Sequence, residues 1–119
     1  MENVAYIEIQ DIDHNGKLKP HVNRGKPLIV MAQGKNCGHC TTAKPAFQEL
    51  AYNSNNIICG SIQMDGESDD REAGKWVKKW DQSYRGIPTY IGFDKHGNYV
   101  KTHTGQRDKE SLRQFGNTL

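Results

Sequence analysis

No run of about 18 apolar residues occurs in the 119-residue chain, which excludes a membrane-spanning helix. The first residues, Met1 to Gln10, hold neither a basic leader nor an apolar stretch of the kind a secretory signal needs. The last, Gly116-Asn117-Thr118-Leu119, do not form an endoplasmic reticulum retention signal. A soluble, cytoplasmic protein is the expectation. Cysteine is scarce: three residues, an odd number, with two of them separated by only two positions, do not make a disulfide framework. Apolar residues amount to 34%, so the core must be small and most helix faces wet. Excess charge is lacking too, with 16 Lys and Arg against 14 Asp and Glu. Only Lys75, Lys78 and Lys79 cluster, and on a helix they read as a solvated face, so no nucleic-acid surface is expected. The length suits one domain, residues 1–119, and there are no internal repeats.

What is present is a succession of short periodic segments. Val4 to Ile9 alternates weakly and predicts a first strand. Asp11 to Gly16 reads as a turn, because Asn-Gly supplies positive φ. Lys17 to Lys26, interrupted by Pro20 and Gly25, reads as a loop with little helix. Leu28-Ile29-Val30-Met31-Ala32 is a continuous apolar run, expected of a central strand buried on both faces. Ala43, Ala46, Phe47 and Leu50 share one helix face, with Pro45 expected to kink that helix. Ile57 to Met64 predicts a third strand ending at Asp65-Gly66, and Ala73, Trp76, Val77 and Trp80 predict a helix from about Ser68 to Asp81 with both tryptophans facing the core. Thr89 to Phe93 and Tyr99 to His103 predict a hairpin. A last helix follows Asp108, with Leu112, Phe115 and Leu119 on one face. This order implies an α/β fold, a central mixed sheet flanked by helices on both faces.

Cys37-Gly38-His39-Cys40 falls between the buried strand and the first long helix. A thiol there meets unpaired backbone N–H groups and the positive end of the helix dipole, which stabilise a thiolate. Cys37 is therefore expected to be the exposed nucleophile, and Cys40, one turn further in, the resolving thiol. The competing reading is half of a zinc site. Zinc needs two more ligands, and Cys59 on a strand with His96 and His103 around a hairpin form no ligand spacing, so no metal is expected. Asp11-x-Asp13-x-Asn15-Gly16 opens like a calcium loop, but position 12 is Val22 where a bidentate glutamate is required, and a β-turn is the better reading. Cys59 is expected to be a buried core thiol.

The cysteine motif, followed five residues later by Pro45 and then by Arg85-Gly86-Ile87-Pro88-Thr89, resembles the thioredoxin superfamily over roughly residues 27–115. The resemblance implies a thioredoxin fold and thiol–disulfide exchange with no cofactor beyond the thiol pair. It also implies a cis Ile87–Pro88 peptide presenting backbone to an extended substrate, with Gly38, Ile87 and Pro88 as the substrate-binding residues. Read from the residues alone, Ile87-Pro88 is only a turn before a strand.

Gly-His between the cysteines resembles protein disulfide isomerases rather than thioredoxins, which carry Gly-Pro. An imidazolium beside the thiolate favours the reduced pair, so His39 implies an oxidant or isomerase. Gly105-Gln106-Arg107 resembles the segment of isomerase domains whose arginine swings toward the second cysteine, which would give Arg107 a role in assisting Cys40. Without the resemblance Arg107 is a surface arginine at a helix start.

The chain also departs from the family. Met31 stands where thioredoxins have a buried acid, Ser61 where they have its lysine partner, and Asn36 where an aromatic residue precedes the first cysteine. The implied partners are protein thiols and disulfides, with glutathione or a reductase to recycle the pair, and the protein is expected to be a monomer. The alternatives are a thioredoxin-like reductase and a non-catalytic binding module. Small stand-alone proteins of this kind resemble those of large DNA viruses, which would place the protein in a host cytoplasm.

Overall fold

A computed structural model describes residues 1–119. Five strands form one sheet in the order β1-β3-β2-β4-β5: β1 (Val4–Tyr6), β2 (Leu28–Gln33), β3 (Ile58–Gln63), β4 (Thr89–Phe93) and β5 (Tyr99–Thr102). β1, β3 and β2 run parallel, while β4 pairs antiparallel with β2 and β5 with β4. β2 is central, and all six of its residues are buried, as its unbroken apolar run requires.

Helices cover both faces, and each face has its own core. Against one face lie α2 (Gly38–Asn53) and α4 (Lys109–Gly116), where Ile29 and Met31 meet Cys40, Ala43, Phe47, Leu50, Leu112 and Phe115. Against the other lie α1 (Pro20–Asn23) and α3 (Ser68–Trp80), where Leu28, Val30 and Ala32 meet Val22, Ala73 and Val77. The period-2 alternation of β2 thus sends successive side chains to different cores. The architecture is the thioredoxin fold the sequence implied.

Several boundaries differ from expectation. β1 stops at Tyr6, because the Glu8 N–H donates to the Asp11 carboxylate at 2.9 Å and turns the chain into a short 3₁₀ segment at Ile9–Asp11. α4 ends at Gly116, so Leu119 reaches the core from beyond the helix. Trp76 and Trp80 pack against the second core, as expected of them, and stay half-buried; they stack with ring centroids 6.0 Å apart, and the Trp80 indole N–H donates to the Gly16 carbonyl at 2.8 Å. Pro45 lies inside α2, which runs on through it to Asn53. The Asp13 carboxylate is occupied by the N–H groups of Asn15 and Lys17, at 2.8 and 2.9 Å, which makes the calcium-like segment a side-chain-capped turn.

The β4–β5 turn shows how tightly the loops pack. Gly97 has φ +87°, and a Cβ there would lie 2.4 Å from the backbone oxygen of Leu18, whose own N–H donates to the Gly97 carbonyl at 2.9 Å. Gly97→Ala combines left-handed strain with a clash against backbone that is itself hydrogen-bonded. A loss of about 2–3 kcal/mol is expected, read as a lower urea midpoint at unchanged m-value.

Candidate active site

β2 ends at Gln33, and four residues separate it from the start of α2 at Gly38. The intervening loop is held from across the sheet: the Lys35 N–H donates to both carboxylate oxygens of Asp65, at 3.0 and 2.9 Å. Asp65 follows the end of β3, the strand beside β2, so parallel pairing delivers it to that position. Gly34 lies against Ile87, whose Cδ1 would be 2.6 Å from any added Cβ. The loop is therefore fixed by a carboxylate on one side and by the residue before Pro88 on the other.

Cys37 is the N-cap of α2, and its Sγ accepts the Cys40 N–H at 3.1 Å. A sulfur there replaces the oxygen of an ordinary N-cap and lies in the field of the first-turn N–H groups. Cys37 and Cys40 are joined as a disulfide with Cα atoms 5.1 Å apart. Their exposure is unequal: Cys37 is half-buried and Cys40 is 0% exposed. An external thiolate can reach only the Cys37 sulfur.

Ile87–Pro88 is a cis peptide, and Cys37 Sγ lies 3.9 Å from the Ile87 carbonyl oxygen. From Pro88 a groove of about 560 Å³ runs between the start of β4 and the β5–α4 loop, lined in part by Arg85, Thr89, Tyr90, His103 and Arg107. Gly38 and His39 are exposed on the first turn of α2, and a Cβ at Gly38 would meet nothing within 4 Å, which leaves this rim of the site open.

Arg107 is exposed on the loop before α4, which the His103 ring holds by donating from Nε2 to the Gln106 carbonyl at 2.6 Å. The arginine shares the groove with Tyr90, and its charge opposes the effect of burial on the Tyr90 phenol. Met31 and Ser61 are register partners on β2 and β3, both buried, with the Ser61 hydroxyl accepting from the Gln33 amide at 3.2 Å. No carboxylate is buried in this core.

The third cysteine stands apart. Cys59 is 2% exposed on β3, and burial pushes its thiol up to about 12, which keeps it protonated and unreactive.

Two residues at the site escape a reading of the residues in sequence order. Asp65 carries one signal, its place just after a strand next to the motif strand; Tyr90 carries none beyond its alternation within β4.

The family model described as Thioredoxin matches residues 9–118. A thioredoxin-like protein of Invertebrate iridescent virus 6 is 31% identical over 129 residues, an alignment covering 98% of this chain and 89% of that protein. The protein disulfide-isomerase tigA of Aspergillus niger is 30% identical over 95 residues, covering 76% of this chain but 24% of that protein. This chain thus spans about a quarter of the length of that isomerase. Among solved structures, the short form of thioredoxin f from spinach chloroplast superposes with a TM-score of 0.70 at 17% identity, covering 98% of this chain and 92% of that one.

Proposed function

The chain belongs to the thioredoxin family, and from that premise we propose that it is a protein disulfide oxidoreductase and isomerase working through a mixed disulfide at Cys37. The observation that carries this reading is the asymmetry of the pair: one sulfur half-exposed at a helix N-terminus beside the Ile87 carbonyl, the other fully enclosed.

In the oxidising direction a substrate thiolate attacks Cys37 Sγ, a substrate–Cys37 disulfide forms, and Cys40 leaves as a thiolate. A second substrate thiolate then attacks the substrate sulfur of the mixed disulfide, and Cys37 leaves with the bonding electrons. Two substrate thiols have become a disulfide and the Cys37–Cys40 disulfide has become two thiols. In isomerisation the reduced Cys37 attacks a substrate disulfide, and Cys40 resolves any mixed disulfide that does not rearrange. The first-turn N–H groups stabilise the Cys37 thiolate in both directions. Extended substrate backbone lies along Ile87 and Pro88, and Gly38 leaves room for it.

His39 favours the isomerase over the reductase reading, since its imidazolium stabilises the thiolate form and makes the disulfide more oxidising. Glutathione or a reductase returns the pair to its working state, and the chain acts as a monomer in a cytoplasmic setting. Two assays test the function: refolding of scrambled ribonuclease and reduction of insulin. Ribonuclease refolding is the expected activity. Silence in both assays, with both thiols free, points instead to a module that holds partners in the groove without turnover.

Arg107 is assigned to the resolving step. A guanidinium stays charged at any working pH, and its approach to the second cysteine lowers that thiol's pKa. Arg107→Gln should slow release of mixed disulfides from Cys37, most visibly below about pH 8 where an unassisted thiol is protonated. Being exposed, it should leave the melting temperature nearly unchanged. Equal release rates in wild type and variant across the neutral range remove Arg107 from the mechanism.

A further inference from the structure

We propose that the Tyr90 hydroxyl takes over from the missing buried acid, donating a hydrogen bond to the Cys40 thiolate whenever the disulfide is open. This rests on the resolving role given to Cys40 above. Strand register places the tyrosine. Ser61 on β3, Met31 on β2 and Tyr90 on β4 are consecutive register partners, a row of three side chains across the sheet facing α2. Met31, at the centre of that row, occupies the position of the family's acid. The carboxylate is gone, but a phenol stands one strand away and projects into the same core cluster as Cys40.

The second observation is that this phenol is unsatisfied. Tyr90 is 2% exposed, and its hydroxyl has no hydrogen-bond partner in the oxidised protein. An unpaired buried hydroxyl is costly and rare, and calls for an explanation. The ring is wedged between Phe47 of α2, at 5.6 Å between centroids, and His103 at the end of β5, at 6.3 Å. Phe47 lies two turns along the helix face that carries Cys40. The other buried hydroxyl of the row, on Ser61, is already engaged by Gln33. Opening the disulfide puts a new acceptor into this cluster, the Cys40 sulfur.

Burial suits the phenol to donate rather than to ionise, since it is pushed up to about 12 and stays protonated at working pH. No proton is exchanged between the two groups. The Cys40 thiol loses its proton to solvent, the hydroxyl stabilises the resulting thiolate, and that thiolate attacks Cys37 Sγ to expel the substrate thiolate. Other titratable groups around the pair are Cys37 and His39 at the start of α2, Cys59 on β3, His103 just after β5, and Arg107, whose charge opposes the effect of burial on the phenol. Of these only Cys59 is both buried and neutral, and its S–H is a weak donor beside a phenol O–H.

Tyr90→Phe keeps the ring and removes only the hydroxyl. Reduced protein is mixed with Ellman's reagent, and the second, first-order release of thionitrobenzoate reports attack by Cys40. The expected result is a rate about tenfold lower near pH 7, a pH profile displaced upward by about one unit, and convergence with wild type at high pH. At a pH above the Cys40 pKa of both proteins, where the reduced pair carries the thiolate, the equilibrium with glutathione should shift about tenfold toward the disulfide, or about 30 mV more reducing. A merely structural tyrosine would change melting temperature without moving either quantity. An identical pH profile and potential in the variant overturn the proposal while leaving the function above intact. If wild type shows no second phase, the resolving role of Cys40 and this inference fall together. Should the variant fail to fold, wild type still decides: the tyrosine Raman doublet should report a gained donor hydrogen bond on reduction, and an unchanged doublet contradicts it.

Discussion

Cys40→Ser should leave the protein covalently attached to its substrates, whereas Cys37→Ser leaves nothing to attach. The unequal burial of the two sulfurs sets this difference. Cys37 is half-exposed and N-caps α2, so its thiolate can attack an incoming disulfide without Cys40. What it then lacks is an internal nucleophile, because a serine hydroxyl does not attack a disulfide at neutral pH. Mixed disulfides accumulate, and a non-reducing gel with mass spectrometry shows a species that reductant removes. In Cys37→Ser the two remaining thiols, Cys40 and Cys59, are 0% and 2% exposed and out of a protein substrate's reach, so exchange should fall to the uncatalysed background. Both variants lose a disulfide that closes a very short loop, worth about 2 kcal/mol. Reduced wild type is therefore the proper stability reference. Normal turnover by Cys40→Ser reverses the assignment of roles.

His39→Pro should make the pair more reducing by at least about 30 mV, a tenfold change in the exchange equilibrium. The helix tolerates the change, since His39 occupies the second helical position, where proline's missing N–H removes no intrahelical bond. What disappears is a cationic ring beside the Cys37 thiolate, a stabilisation available only to the reduced form. Reference potentials of about −180 mV for protein disulfide isomerase and about −270 mV for thioredoxin bracket the change, a gap of roughly 4 kcal/mol. An unchanged potential removes His39 from the mechanism and weakens the isomerase reading with it.

Features written into contiguous residues are legible in the amino-acid sequence itself. β4 has the bounds expected of the first arm of the hairpin, β2 is buried on both faces as its apolar run requires, and Asp108 caps α4 by accepting the Ser111 N–H at 3.2 Å. The cysteine pair falls at the predicted helix start because it lies between the apolar run that ends at Ala32 and the helical spacing that begins at Ala43. Features that depend on pairing at long sequence separation are hidden. Asp65 holds the loop before Cys37 from 30 residues away, and only the β2–β3 register makes that visible. Alternation gives Tyr90 a face of the sheet, but not Met31 as its neighbour or the absence of any partner for its hydroxyl. The end of β1 is hidden for a related reason: the hydrophobic pattern continues to Ile9, while the Glu8–Asp11 hydrogen bond that ends the strand has no signature in hydrophobicity.

Equilibration of the Cys37–Cys40 pair against defined ratios of reduced and oxidised glutathione tests the central reading most directly. The fraction of oxidised protein, taken by thiol alkylation and mass spectrometry, gives the potential without any assumption about substrate. A value near about −180 mV is expected of a pair whose thiolate is stabilised by a helix N-terminus and an adjacent imidazolium. A value near about −270 mV would contradict the isomerase reading and leave a thioredoxin-like reductase in its place.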